Sequence, residues 1–399
     1  MSTIKLISEK AMIFIVYTFS AILAIATLAC FLPQVPVFGV IGPLIVFPFG
    51  PWVSILSLLA ALLFFFRWRK FGKRGILVLT SFTSFVFAGT AFIQIQQIAV
   101  AEQNGVDINL LRTLWLGGER HGSVTAVIET YTRYEDHDLA VAIYSQANSK
   151  EKSPKPVLVY VHGGGWGAGT VHDRAADMRW FADQGYLVFS VEYSLSAEDR
   201  HTWGVAERQV ACALAWIGRN AERYGGDGSR LAMFGESAGG NLVLNVSYQA
   251  NAGLIKPMCE GQVPNIVASI AAYPIIDARQ MYENDDVIVG RFARMMGVQY
   301  TGGTPEAFPG RYKAISSETH INSSAPATLL LPGLTDHLLH PEPVYAFAKK
   351  AIAAGVDARV IGFPYGEHSF DQLNGGIGSQ LMRGASLQLL IEFGLAPLR

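Results

Sequence analysis

The first 101 residues hold only eight charged side chains: Lys5, Glu9, Lys10, Arg67, Arg69, Lys70, Lys73 and Arg74. The other 298 residues hold 55. Three stretches carry no charge at all: Ala11–Leu32, Val35–Phe66 and Gly75–Ala101. About 20 apolar residues cross a bilayer core as a helix, so each stretch is long enough. A buried core helix is the competing reading, but three such stretches in succession favour insertion. We expect an all-α transmembrane region of about three spans, near 11–32, 45–66 and 75–97, with the lipid bilayer as its partner. Pro36, Pro43, Pro48 and Pro51 interrupt the middle stretch. A loop or re-entrant piece is expected there, followed by a helix near Trp52–Trp68. A signal peptide fits Ala11–Leu32 poorly, because its apolar run is too long.

Lys5 and Lys10 precede the first span, and the cluster from Arg67 to Arg74 separates the second from the third. The positive-inside rule then puts the N-terminus and this loop in the cytoplasm and the rest of the chain outside. Overall, 31 Lys and Arg face 32 Asp and Glu. That balance argues against nucleic acid as a partner. Three cysteines make neither a disulfide scaffold nor a four-ligand zinc site. Cys212 and Cys259 could pair once, which the sequence leaves open. No metal or cofactor site is expected.

Residues 102–119 read as a linker and 120–399 as one domain. Thr125–Tyr134 and Leu139–Gln146 suggest a hairpin. Short apolar runs follow at Val157–Val161, Tyr186–Tyr193, Leu231–Phe234, Ile266–Tyr273, Ala327–Leu331 and Ala358–Phe363. Helical patterns separate them at Asp173–Gln184, Val205–Tyr224, Ala238–Ala250 and Val344–Ala354, with a last one at Ser379–Phe393. Fully apolar strands alternating with helices predict a mostly parallel sheet covered on both faces, an α/β fold. Asp277–Ser324 is long for a connection and is a candidate cap.

Four features share the carboxyl edge of that sheet, where such folds bind ligands. Gly235-Glu236-Ser237-Ala238-Gly239 stands between a strand and a helix, which exposes a serine hydroxyl on a tight turn. His162-Gly163-Gly164-Gly165-Trp166 follows the Val157–Val161 strand. Its glycines let backbone N–H groups approach a ligand. Such donors, with the N–H of Ala238, can hold an oxyanion. His162 precedes the serine and reads as a structural residue of the loop. The serine needs an imidazole to accept its proton and a carboxylate to orient that imidazole. His368 lies just past the Ala358–Phe363 strand, and Asp336 just past Ala327–Leu331. His337 and His340 are expected at the surface. Asp277 and Asp371 are competing carboxylates, and Glu236 reads only as a polar residue of the turn.

This constellation resembles the hormone-sensitive-lipase-like family of α/β-hydrolases over roughly residues 120–399. The resemblance rests on His162–Trp166, on Gly235–Gly240 with Asn241 and Leu242, and on the order Ser237, Asp336, His368. It implies an α/β-hydrolase fold and carboxylic ester hydrolysis without a cofactor. It implies Ser237 as nucleophile, His368 as base and Asp336 as its orienter. Gly164, Gly165 and Ala238 would supply the oxyanion hole, with Gly163 the less favoured donor. The chain departs from the family at Tyr193-Ser194-Leu195-Ser196-Ala197-Glu198, where members commonly carry Arg and Pro. It departs again at Glu236, where Asp is commoner. Leu110–Leu116 is the candidate remnant of an N-terminal cap. Hydrolysis of small-molecule or lipid esters is therefore expected. Acyl transfer to another alcohol, removal of acyl groups from envelope glycans or lipids, and an inactive binding ectodomain remain as alternatives.

Overall fold

The computed structural model describes residues 2–46, 49–114, 126–146 and 153–397. Thr125 and residues 115–119 of the expected linker lie outside these. The chain opens with α1 (Ser2–Ala29), the short α2 (Phe38–Val46), α3 (Gly50–Phe71) and α4 (Arg74–Gln103), and then a single turn, α5 (Leu110–Thr113). Ala11–Ala29, α3 and α4 are long and apolar enough to cross a membrane. Their outward side chains suit hydrocarbon: Phe14, Phe66 and Ile95 are exposed. Polar atoms on the inner faces find partners, as such atoms must in lipid. Ser54 Oγ donates to Thr90 Oγ1 (2.7 Å), and Gln94 Nε2 to the Gly50 carbonyl (3.1 Å).

Beyond lie β1 (Val127–Tyr134), β2 (His137–Tyr144), β3 (Lys155–Val161), α6 (Ala175–Asp183), β4 (Leu187–Val191), α7 (Ala206–Asn220), β5 (Gly226–Glu236), α8 (Ala238–Asn251) and β6 (Ala268–Ala272). The segment 277–324 is helical: α9 (Ala278–Tyr282), α10 (Gly290–Thr301), α11 (Pro309–Ile315) and a short turn. Then come β7 (Ala327–Leu331), α12 (Glu342–Ala353), β8 (Ala358–Val360) and α13 (Ile377–Leu390). The eight strands form one sheet in the order β1-β2-β4-β3-β5-β6-β7-β8. β1–β2 and β2–β4 are antiparallel, and the other pairs are parallel. This is the mostly parallel, doubly covered sheet expected from the α/β-hydrolase resemblance.

Successive strand side chains point to opposite faces, and β3 shows the consequence. Val157, Val159 and Val161 pack with Val210, Leu214, Leu242 and Val246 of α7 and α8. Leu158 and Tyr160 pack with Phe181 of α6 and Met382 of α13 on the other face. Most strand boundaries differ from expectation by two residues or fewer, and the end of β8 and the start of β5 differ by more. β8 proper stops at Val360, but the pairing runs on beyond it: Ile361 N–H donates to the Leu330 carbonyl (3.0 Å), Phe363 N–H to the Pro332 carbonyl (2.9 Å), and Gly333 and Phe363 form a parallel bridge. β5 starts five residues earlier than its apolar run, through a polar stretch paired to Lys155 and Pro156. Cys212 and Cys259 form a disulfide that ties α7 to the loop after α8.

The helical region is seated on the domain. α4 is about ten residues longer than a bilayer core requires. Its surplus enters the second core, where Ala101, with the following Val106, is buried beside Met382, Ala385 and Leu389 of α13.

Candidate active site

Ser237 sits at the junction of β5 and α8 with φ 52° and ψ −121°. A non-glycine residue in this region stores roughly 1–3 kcal/mol of strain. The neighbours leave no alternative. A Cβ on Gly235 would strike the carbonyl of Gly239, and one on Gly239 would strike the carbonyls of Val161 and His162. Both glycines are therefore required by packing, and the turn between them lifts the serine. Eight non-glycine residues have positive φ among those described; besides Ser237 they include Arg174 and Tyr273, which contact Glu236 of this turn, and Ser369, which lines the same cavity as the serine.

A hydrogen-bonded chain runs from the serine. Ser237 Oγ lies 3.1 Å from His368 Nε2, and His368 Nδ1 lies 2.8 Å from Asp336 Oδ2. The other carboxylate oxygen, Asp336 Oδ1, accepts from the N–H groups of Leu338 (2.9 Å) and Leu339 (2.8 Å). Asp336 is thus buried but fully held. Burial alone would lower the pKa of His368, but Asp336, with Glu236 and Glu367 further off, raises it above the usual imidazole value.

The glycine loop faces the serine. Gly163, Gly164, Gly165 and Ser237 border a cavity of about 370 Å³ that Phe292, Met295 and Met296 of α10 also line. Among the described residues, no hydrogen bond consumes the N–H groups of Gly163, Gly164 or Gly165. Ala238 is the first residue of α8, where N–H groups have no partner within the helix. Trp166 stacks on Tyr300 of α10 with ring centroids 4.2 Å apart, which pins the loop to the cap segment. His162 is buried, stacked on Tyr193, with Nδ1 2.9 Å from the Gly163 carbonyl. The Tyr193 hydroxyl donates toward the carbonyls of His162 and Gly163. In the segment that departs from the family, Ser194 pairs with Gln209, and Ser196 with Thr202.

The competing side chains are engaged elsewhere. Asp277 caps α9 through the N–H groups of Arg279 and Gln280. His320 meets the Ala314 carbonyl, and His340 is exposed. His337 differs from its expected surface position: its side chain is only 14% exposed. Its Nδ1 lies 2.5 Å from Glu367 Oε1, and its Nε2 lies 2.8 Å from the Pro33 carbonyl, between α1 and α2. Burial alone would lower its pKa, but these two bonds raise it to about 9, so it is charged at neutral pH.

Sequence reasoning missed the network beneath the serine turn. Glu236 is buried and accepts from the Tyr160 hydroxyl (3.0 Å), and Arg174 Nη1 is 3.2 Å away. Arg174 also donates twice to Asp371 (3.0 and 2.8 Å) and once to Asp177 (2.6 Å), while Arg383 Nε reaches Asp177 (2.7 Å). Tyr273 links Glu236 and Asp371 through its hydroxyl and sets its ring edge against His368. The one signal in the sequence is an acid at Glu236, in a position that the turn folds inward. Removing one member of a buried ion group costs about 3–5 kcal/mol. Arg174→Leu leaves three carboxylates facing each other, so a fall in Tm of roughly 10 °C is expected in a thermal melt. Arg174→Lys should recover part of it. An unchanged Tm in the leucine variant would show that the network does not stabilise the turn.

A family model described as BD-FAE matches residues 141–350. Esterase LipQ of Mycobacterium tuberculosis is 29% identical over 223 residues, which is 54% of this chain and 50% of that protein. Carboxylesterase NlhH of the same organism is 44% identical over 89 residues, which is 22% of this chain and 27% of that one. The chain therefore spans half or less of the length of these two relatives. The structure of Est2, an esterase from Thermogutta terrifontis, in its propionate-bound form superposes with a TM-score of 0.56 at 20% identity. The match covers 69% of this chain and 96% of that one.

Proposed function

The chain belongs to the BD-FAE family, which is hormone-sensitive-lipase-like, and on that premise we propose that it hydrolyses carboxylic esters with Ser237 as nucleophile, in a domain held to a membrane by its N-terminal helices. The observation that carries the reading is the relay of 3.1 and 2.8 Å from Ser237 through His368 to Asp336. His368 takes the serine proton as Oγ attacks the ester carbonyl. The N–H groups of Gly164, Gly165 and Ala238 hold the oxyanion. His368 passes the proton to the leaving alcohol, which leaves an acyl group on Ser237. Water, deprotonated by His368, then releases the acid and restores the serine. Asp336 keeps Nδ1 protonated, so that Nε2 presents its lone pair to the serine. The buried Arg174 network holds the turn in its strained geometry.

Labelling of the detergent-solubilised full chain with a fluorophosphonate, beside hydrolysis of a short p-nitrophenyl ester, tests the proposal. A folded chain that neither labels nor hydrolyses would overturn it. The pH profile is a second check. The base must be neutral, and its pKa lies above the ordinary value of about 6.5. The acid limb of kcat/KM is therefore expected above pH 6.5, with activity falling as pH drops through it. A limb below 6.5 would mean that the Asp336 contact does not act on the base.

The Cys212–Cys259 disulfide belongs to an oxidising compartment. It supports the same orientation as the Lys and Arg distribution, with the hydrolase domain outside the cytoplasm and the 67–74 loop inside.

A further inference from the structure

A second cavity, also of about 370 Å³, lies where the helical region meets the hydrolase domain. Its wall on one side is Gly50, Thr90, Ile93 and Gln97 of α3 and α4, and on the other Tyr365, Glu367 and Leu373. His368, Ser369 and Gln372 line this cavity and also the serine cavity, so the two share a partition. A third space, a groove of about 930 Å³, lies among α1, α3 and α4 and is lined by Phe19, Leu23, Leu56, Trp52 and Val86. Phe49 and Trp52 face the groove, whereas Gly50 and Pro51 face the junction cavity. One stripe of α4 runs past both. Thr83 and Val86 lie on the groove, and Thr90, Ile93 and Gln97 on the cavity. Val86 to Gln97 is a climb of about 16 Å. At the top, Gln97 Nε2 donates to the Pro364 carbonyl (3.1 Å), four residues before His368.

We propose that the groove and the junction cavity hold the hydrocarbon chain of an amphiphilic ester drawn from the bilayer. Its ester group would reach Ser237 past the Ser369–Gln372 partition. The inference rests on Ser237 being the nucleophile. The polarity of the path matches such a molecule. The groove between the candidate spans is apolar, and the junction adds Thr90, Gln94, Gln97 and Glu367 on the approach to His368. Contacts hold the two bodies in register along the path. The Pro33 carbonyl meets His337, and Phe31 and Phe92 pack on Tyr365.

The test uses the full chain in lipid nanodiscs. A long-chain alkyl fluorophosphonate with a diazirine at the chain end is coupled to Ser237 and irradiated. Cross-links on α1, α3 or α4 are expected. Cross-links confined to α10 or other hydrolase residues would overturn the inference. Gly50→Phe supplies an independent reading, since a Cβ there meets nothing nearer than Gln94 Nε2 at 3.8 Å and a larger side chain enters the cavity. The ratio of kcat/KM for palmitate to that for butyrate p-nitrophenyl esters should fall about tenfold or more, equivalent to losing about two buried methylenes. An unchanged ratio would overturn the inference. A short ethyl fluorophosphonate needs neither space. Its failure to label Ser237 would overturn the nucleophile reading itself, and the two failures are thereby distinguished.

Discussion

Ser237→Ala is expected to lower kcat for ester hydrolysis by about 10⁶-fold and to abolish fluorophosphonate labelling. The loss should be this large because the hydroxyl is the only part of the residue that reacts, and His368 alone has nothing to activate. Stability should barely move. The variant keeps its Cβ and thus the strain at φ 52°, and the turn is held by the neighbouring glycines and the Glu236 network rather than by the hydroxyl. Binding contacts and the proposed oxyanion donors would remain, so residual turnover above the uncatalysed rate is expected. Turnover within tenfold of the parent, in protein free of contaminating esterase, would move the nucleophile elsewhere.

The site could be read from the sequence as far as it rests on strand ends. Ser237, Asp336 and His368 each stand just beyond an apolar run, and a parallel sheet brings such positions to one edge whatever the loops do. The glycines were legible for a related reason. A tight turn and a close backbone approach exclude a Cβ, and both leave a visible mark in the sequence. The Arg174 network left almost none. Arg174 and Asp371 are 197 residues apart; Arg174 alone looks like an ordinary surface charge, and Asp371 reads only as a carboxylate competing for the histidine. Only the fold makes them neighbours and removes water from both. His337 misled for the same reason. It follows Asp336 in a loop, where a histidine normally faces solvent. The chain between α1 and α2 covers it instead, from 304 residues away.

The fold was legible where hydrophobic period and length agree, as in β3, β4, β6 and β7. It was less so where they do not. Ile361-Gly362-Phe363 continues the apolar pattern of β8, and it pairs with 330–334 past the end of the regular strand. The backbone of Phe363 still bonds to Pro332 and Leu334, while its ring stacks on Phe370. The seat of α4 on α13 was hidden because an apolar helix face reads the same whether it meets lipid or protein. Only the length of α4, greater than a bilayer core requires, distinguishes the end that meets α13.

Asp336→Asn tests the relay from its other end, with an expected loss of about 10⁴-fold in kcat. The substitution preserves shape. Its amide oxygen can still accept from the N–H groups of Leu338 and Leu339, so the 336–339 turn should persist. What changes is the atom facing His368. An amide N–H directed at Nδ1 makes Nδ1 the acceptor and moves the ring proton to Nε2. That proton then points at Ser237 Oγ, and the base has no lone pair for the serine. The carboxylate that raised the imidazole pKa is also gone, so the acid limb of the remaining activity should move to lower pH. Two measurements separate this from a folding defect: a thermal melt close to the parent's, and a kcat–pH profile whose limb has shifted downward. A loss of less than tenfold at pH 8, with the melt unchanged, would mean that another group orients His368. The 2.8 Å contact would then be structural only.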